Sequence, residues 1–593
     1  MEREIVLFSD LYECFEPKEH FSEISLKNKW RAIELDTSEY SGRLISSIDG
    51  MPEDISFDPK LKGWYKILIH LPGRSSVYLK LSGDDAFICM SAVTKRRYLI
   101  EEVLWKCADM TDQSIILSKK LDAYTNYSVL SAIKFIPMND EEVAEYKREQ
   151  TRRDTKRIYA TDDLHNRLAF INQNSYDDWR AVAINYEDSD IEWLSVETLA
   201  TLVSNHLAVD NIDDFAFPTQ IDRHVQESIK KFDMHKAICT VVDQCKKMGI
   251  KSSVSMRMGG WGMPFPYDQF YFDCDFVESH PEWRTRDRNG DEIRAMSYAY
   301  PEVRKFLIDE LVECARSECD AVTIMAHRGI PYVLFEEPVA RRFYELYGEY
   351  PYELPLDEER LNKLHCDIMT EYVRELREAL DKEFGKNRVE IHFRSIYSLY
   401  DSKYVGLDAE RWAKEGLISA IISYPQRVHE LLGGDVWKDD SKEKLDLDKY
   451  TNYVRTSYHV NMRPCDFETI EPIVNYRGEL CGPKSQRERV EEWMELERKY
   501  GVKVYFEILP RHLTSEEFKS RALDLYDCGA ERIALWDTYS RAAFRSTWAT
   551  ARRLGHKDEL KERNVGEGVD YRTLFMLKLG DRDLNRFNPD WGG

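Results

Sequence analysis

Val502-Lys503-Val504-Tyr505-Phe506-Glu507, a polar–apolar stretch over residues 515–528 closed by Gly529, then Arg532-Ile533-Ala534-Leu535-Trp536-Asp537: this stretch decides the fold. Two apolar runs of strand length flank an amphipathic helix, and a glycine between helix and strand is the usual C-cap placement. The unit repeats backward along the chain. Strands are predicted at Arg180–Asn185, Asp213–Phe217, Ser252–Arg257, Ala321–His327, Val389–Arg394 and Ile418–Tyr424. Helices are predicted over 227–248, 302–317, 359–384, 408–415 and 487–500, several followed by Gly249, Gly385, Gly416 and Gly501. Eight strand–helix units over roughly 400 residues predict an α/β chain with a (β/α)8 TIM barrel at 178–556, enlarged by insertions beyond the typical ~250 residues. An open doubly wound sheet is the rival, because periodicity does not report closure.

Working outward, the first 145 residues change character. Short alternating runs such as Trp64-Tyr65-Lys66-Ile67-Leu68-Ile69-His70-Leu71 and Ser76-Val77-Tyr78-Leu79-Lys80-Leu81 are separated by turns at Pro72-Gly73 and Gly83-Asp84-Asp85. Many strands with almost no helical period predict an N-terminal β-sandwich of jelly-roll type over 1–145. Residues 146–177 then read as a linker, and 557–593 as a C-terminal extension packing on the barrel.

The 593 residues carry Lys+Arg 84 against Asp+Glu 107, a net charge of −23, with no basic block. That balance argues against a nucleic-acid or anionic-membrane partner. No apolar run of about 18 residues occurs, and Glu2, Arg3 and Glu4 stand where a signal peptide needs apolar residues. The twelve cysteines are scattered without a Cys-x-x-Cys pair, the usage expected of reduced thiols in a cytoplasm.

In a barrel of this kind, polar residues that close apolar strands point into the site. Glu507 is foremost, since a carboxylate ending Val504-Tyr505-Phe506 is costly to bury unless partnered or useful. Asp537 repeats the pattern one strand later, with an N-cap as its structural alternative. Glu336 and Glu337 stand nine and ten residues beyond His327, where Pro338 suits the start of a helix that Glu337 helps to cap. Glu507 facing one of them would supply the two carboxylates of glycosidic cleavage. Arg257, Trp261, His327, Arg328, His392, Arg394, Tyr424, His459 and Trp536 are the candidate substrate-binding residues, the aromatics for sugar faces and the polar groups for hydroxyls or a sugar carboxylate. His327, His392, His459 and His512 with Asp537 also allow a metal site, although no His-x-His follows strand one. No metal or other cofactor is expected.

The segment Ser279-His280-Pro281-Glu282-Trp283-Arg284-Thr285-Arg286-Asp287 and the helix start Tyr298-Ala299-Tyr300-Pro301-Glu302-Val303-Arg304 resemble the bacterial glycosyl-hydrolase-like family-ten barrels. Phe335-Glu336-Glu337-Pro338 and Asp524-Leu525-Tyr526-Asp527-Cys528-Gly529-Ala530 are similar too. The resemblance implies kinship with clan A glycoside hydrolases, an acid/base carboxylate after strand four (Glu336 or Glu337) and a nucleophile at the end of strand seven (Glu507). The chain departs at strand four, where Ala326-His327-Arg328 replaces an acidic strand end.

The expectation is therefore a cytoplasmic glycosidase acting on a small carbohydrate, one with an acidic sugar included. A homo-oligomer is the macromolecular partner left open. A metal-dependent hydrolase or lyase and a non-catalytic carbohydrate-binding protein are the alternatives.

Overall fold

The computed structural model describes residues 4–562 apart from 23, 25, 48–49, 121–126, 165–166, 169–172, 201–202, 205–230, 260–275, 277–278, 328–329, 426–472, 510–512 and 537, together with 570–579 and 582–585. Eight strands follow one another in parallel: Ile158–Asp162, Ile191–Ala200, Lys251–Arg257, Ala321–Met325, Glu390–Ser395, Ala420–Ser423, Lys503–Glu507 and Ile533–Leu535. The first strand pairs with both the second and the eighth. The ladder has no free edge between them. The chain is a closed (β/α)8 barrel, and the open-sheet rival is excluded.

Six of the predicted strands fall on observed ones, and the first does not. Arg180–Asn185 belongs to the helix Tyr176–Ile184 and its C-cap, opened by a capping box between Ser175 and Asp178. Trp179, Val182 and Ala183 are buried at helical spacing, the period that a six-residue window hides. The real first strand, Ile158–Asp162, lies inside the stretch expected to be linker, and its five residues are all buried. The second strand is Ile191–Ala200; Asp213–Phe217 lies outside the described residues.

The barrel interior is filled, as the closed geometry demands. Tyr159, Trp193, Ile422 and Tyr505 interdigitate with Ala321, Ala420 and Ala534 in one buried layer, large against small. The Tyr159 hydroxyl bonds to Thr323 Oγ1 at 2.8 Å and lies 3.1 Å from His392 Nδ1. Gly249 and Gly501 cap their helices in the left-handed region, φ 67° and 76°, as the sequence predicts.

Two antiparallel sheets precede the barrel. The larger runs in the order Val6–Phe8, Ala132–Pro137, Trp64–Pro72, Leu99–Asp109, Asp570–Leu579, Arg31–Thr37, Ser41–Ser47, Ser128–Leu130. The smaller runs Ile55–Phe57, Ile115–Ser118, Ser76–Leu81, Ile88–Ser91. Side chains of both sheets share one buried cluster that includes Ile67, Ile69, Val103, Leu79 and Leu117. The extension expected to pack on the barrel instead supplies an inner strand of the larger sheet, Asp570–Leu579, which pairs with Leu99–Asp109 on one side and Arg31–Thr37 on the other. All ten cysteines among the described residues are free thiols. Among those residues no helix is long and apolar enough to cross a membrane.

Candidate active site

The C-terminal ends of the strands gather charge around one indole. Glu507 closes strand seven with its side chain fully buried, and Arg394 of strand five donates through Nη1 to Glu507 Oε2 at 2.5 Å. The other Arg394 nitrogen, Nη2, donates to Thr161 Oγ1 of strand one at 2.5 Å. Opposite stands Arg257, the last residue of strand three. Its Nη2 donates to Asp163 Oδ2 at 2.9 Å and Glu197 Oε2 at 3.1 Å. Both guanidinium groups lie against the Trp536 ring, Arg394 at 4.7 Å and Arg257 at 5.9 Å from its centroid. His327 meets the same ring edge-to-face at 4.6 Å, and the Tyr424 ring lies 4.5 Å from it.

Local backbone geometry explains these positions. Strand alternation sends Thr161 and Asp163 into the mouth, while Asp162 between them binds Arg167 at 3.0 Å and the Tyr186 hydroxyl at 3.1 Å. Three buried carboxylates, Asp163, Glu197 and Glu507, then face two guanidiniums, leaving one formal negative charge. Burying so many charges contributes little net stability even when they are paired. Their concentration at the strand ends makes this the candidate site. Glu507 Oε1 is buried and has no hydrogen-bond partner among the described residues.

The carboxylates after strand four sit differently. Glu336 is the fully buried N-cap of the helix Glu337–Tyr347, and both its oxygens accept from the Leu334 N–H, at 3.1 and 3.0 Å. Burial pushes its carboxyl up to about 7, against the opposing pull of backbone N–H groups and Ser297. Glu337 is 70% exposed in the first turn of that helix, 3.8 Å from Arg341. Its surroundings are those of a helix-terminal charge rather than a reacting group. Among the described residues no hydrogen bond or ion pair joins either of them to Glu507.

His392 is corrected to a core residue. It is the third residue of strand five, packed edge-on to Trp193 at 4.4 Å and 3.1 Å from Glu390 Oε2, and burial holds its imidazole below the usual range. The expected site residues that the structure brings together are Glu507, Arg394, Arg257, Trp536, His327 and Tyr424. Trp261, Arg328, His459 and Asp537 lie outside the described residues, as does His512. Among the described residues no group of three His, Cys, Asp or Glu stands as a metal cage.

Thr161, Asp163 and Glu197 were not predicted from sequence. The signal was present. Trp193-Leu194-Ser195-Val196-Glu197 is an apolar run closed by a carboxylate, the pattern that singles out Glu507. The displaced first two strands hid it.

No family model and no curated protein matches the chain. In structure it resembles alpha-L-fucosidase isoenzyme 2 from Paenibacillus thiaminolyticus, at 12% identity and a TM-score of 0.38, over 69% of this chain and 50% of that one. It thus spans half the length of that fucosidase. It also resembles the PgaB (BpsB) glycoside hydrolase domain from Bordetella bronchiseptica, at 8% identity and TM-score 0.41, covering 67% of this chain and 98% of that one. The catalytic domain of beta-amylase from Paenibacillus polymyxa aligns at 10% identity and TM-score 0.40, over 69% and 99% of the two chains. The barrel itself rests on the closed strand ladder.

Proposed function

We propose that the chain is a glycoside hydrolase that cleaves a small oligosaccharide or glycoside at the mouth of the barrel. The observation that carries the reading is the convergence of Glu507, with its unbonded Oε1, and the Arg257–Asp163–Glu197 cluster around the Trp536 indole. Glycosidic cleavage needs one ionised carboxylate and one protonated one. Glu507, held by Arg394, takes the ionised role, as nucleophile on the anomeric carbon or as base toward water. The acid role goes to Glu336, whose carboxyl is pushed by burial up to about 7 and so carries a proton through the mildly acidic range. The leaving oxygen takes the Glu336 proton as the bond to the anomeric carbon breaks. Glu337, in solvent, drops out of the acid role.

Trp536 and Tyr424, buried with His327 packed against both, form an aromatic floor beneath these charges. Because Arg257 and Arg394 already have internal carboxylates, the mouth favours a neutral sugar over the acidic sugar that the unpaired arginines of the sequence suggested. We read the two antiparallel sheets with their shared core as an accessory β-sandwich of jelly-roll type. We place the activity in the cytoplasm, where thiols such as the free cysteines stay reduced.

The test is product analysis by mass spectrometry after incubation with a panel of neutral and acidic oligosaccharides and aryl glycosides. Cleavage of a glycosidic bond is expected, with kcat/KM falling about 10²–10⁴-fold in Glu507→Gln. A loss below about tenfold would overturn the role of Glu507. A folded protein that binds sugars without turnover would overturn the hydrolase reading.

A further inference from the structure

A cavity lies away from the barrel mouth, where the helix Arg545–Ala551 packs on the N-terminal strand Leu99–Asp109. It has a volume of about 320 Å³, and its lining includes Trp105, Cys107, Tyr146, Arg545 and Arg552. That volume falls at the lower end of small-ligand sites.

Charge balance around this cavity leaves one cation over. Among its lining carboxylates, Asp188 is engaged by Arg552 and Arg553. Glu102 is bound by His70 and Lys134, and both Glu102 and Asp570 by Arg572. Glu187 pairs with Lys106 at 3.7 Å. Arg545 is only 6% exposed, and among the described residues no hydrogen bond or ion pair reaches it. Its Nε and Nη2 are buried donors without acceptors, as are Arg552 Nε and the indole Nε1 of Trp105. Four unmatched N–H groups on three side chains around one cavity call for an acceptor that carries negative charge.

We propose that this cavity binds a small molecule bearing an oxyanion, a carboxylate or a phosphate, with Arg545 as its anchor and the Trp105 indole as a second donor. A buried, unpaired guanidinium is costly to keep. Burial, with Arg552 beside it, lowers the Arg545 guanidinium to about 10, a penalty that a bound anion would offset. The helix carrying Arg545 follows the segment after strand eight, so an occupant would touch the element that leads away from Trp536. The site stands independently of the hydrolase reading.

The test is calorimetric titration of the full chain with sodium phosphate and with sodium glucuronate at matched ionic strength, methyl glucoside serving as the uncharged control. Saturable binding of at least one anion and none of the control is expected, and the probe that binds identifies the group as phosphate or carboxylate. Arg545→Gln is expected to weaken that binding at least tenfold, and Trp105→Phe about threefold. No saturable binding of either anion, or unchanged affinity in Arg545→Gln, would overturn the proposal. If circular dichroism shows Arg545→Gln to be unfolded, Trp105→Phe decides, and unchanged affinity there overturns the site.

Discussion

Glu336 and Glu507 are both buried carboxyl groups, and their surroundings hold them differently. Glu507 has a guanidinium against one oxygen; Glu336 has backbone N–H groups and a hydroxyl, which are weaker compensation for burial. The sign of the pH effect follows. The unfolded chain releases the Glu336 proton near 4.5, whereas the folded chain keeps it until about 7. Between those values the folded state binds more protons, so this group's contribution to stability falls as pH rises from 4.5 to 7 and stays low above it. Glu336→Gln removes that loss. Its unfolding midpoint by calorimetry is expected to exceed that of the wild type at pH 8, by an amount on the order of 3 kcal/mol at most, and to gain nothing at pH 4. Equal midpoints at pH 8 would show that Glu336 ionises freely. As the acid, the same variant should lose activity on substrates with poor leaving groups and keep most of it on activated aryl glycosides, which need no proton. Equal losses on both would overturn the acid role of Glu336 and move it to Glu197 or Asp163.

At the scale of elements, the barrel is held to its neighbours by a buried network rather than by apolar surface alone. His556 lies 2.7 Å from Asp190, just ahead of strand two, and 2.8 Å from Glu149, in the helix Asp140–Thr151 that joins the N-terminal sheets to the barrel. That helix starts with a capping box, Asn139 with Glu142, which explains why the charged stretch is ordered. Gly555, next to His556, is where the chain must pass closest: a Cβ there would stand 2.0 Å from the Thr155 carbonyl oxygen and 2.7 Å from Asp190 Cβ. Both obstacles are backbone or its first side-chain atom, so they yield little. Gly555→Ala should cost about 1–3 kcal/mol, read as a lower unfolding midpoint in denaturant. A midpoint within 0.5 kcal/mol of the wild type would mean that the Thr155 turn gives way.

Across the whole molecule, the two ends of the chain complete one sheet. Asp570–Leu579 lies between Leu99–Asp109 and Arg31–Thr37, and Arg572, buried, pairs with Glu39 and Glu102. A chain ending at residue 562 should therefore leave two strands with open edges and Glu102 short of a cation. Its expected behaviour is faster proteolysis within the first 140 residues and a lower thermal midpoint. A truncated protein as protease-resistant as the full chain would show that the sheet closes without that strand.

How much of this was legible in the sequence depends on the range of the interaction that fixes each part. Strands three to eight of the barrel were readable because each is a local apolar run bounded by a helix and a glycine, and side-chain periodicity is a property of a few neighbouring residues. That Glu507, Arg394, Arg257, His327, Tyr424 and Trp536 gather at one end of the barrel was readable for the same reason: each stands at or just beyond a strand end. Strand one was not, because Ile158–Asp162 is short and buried on both faces, while Arg180–Asn185 looked more like a strand than the helix it is. That single displacement hid Thr161 and Asp163. His392 shows the complementary error, since its place in the chain suits a strand end, but only the packing of Trp193, Tyr159 and Glu390 around it puts it in the core. The sequence by itself determined the strand–helix repeat, the acidic charge and the polar residues at the strand ends. Closure of the barrel, the pairing of each arginine with its carboxylates, the burial that raises the Glu336 carboxyl and the unmatched Arg545 were decided by tertiary structure, because each depends on groups far apart in the chain meeting where water is excluded.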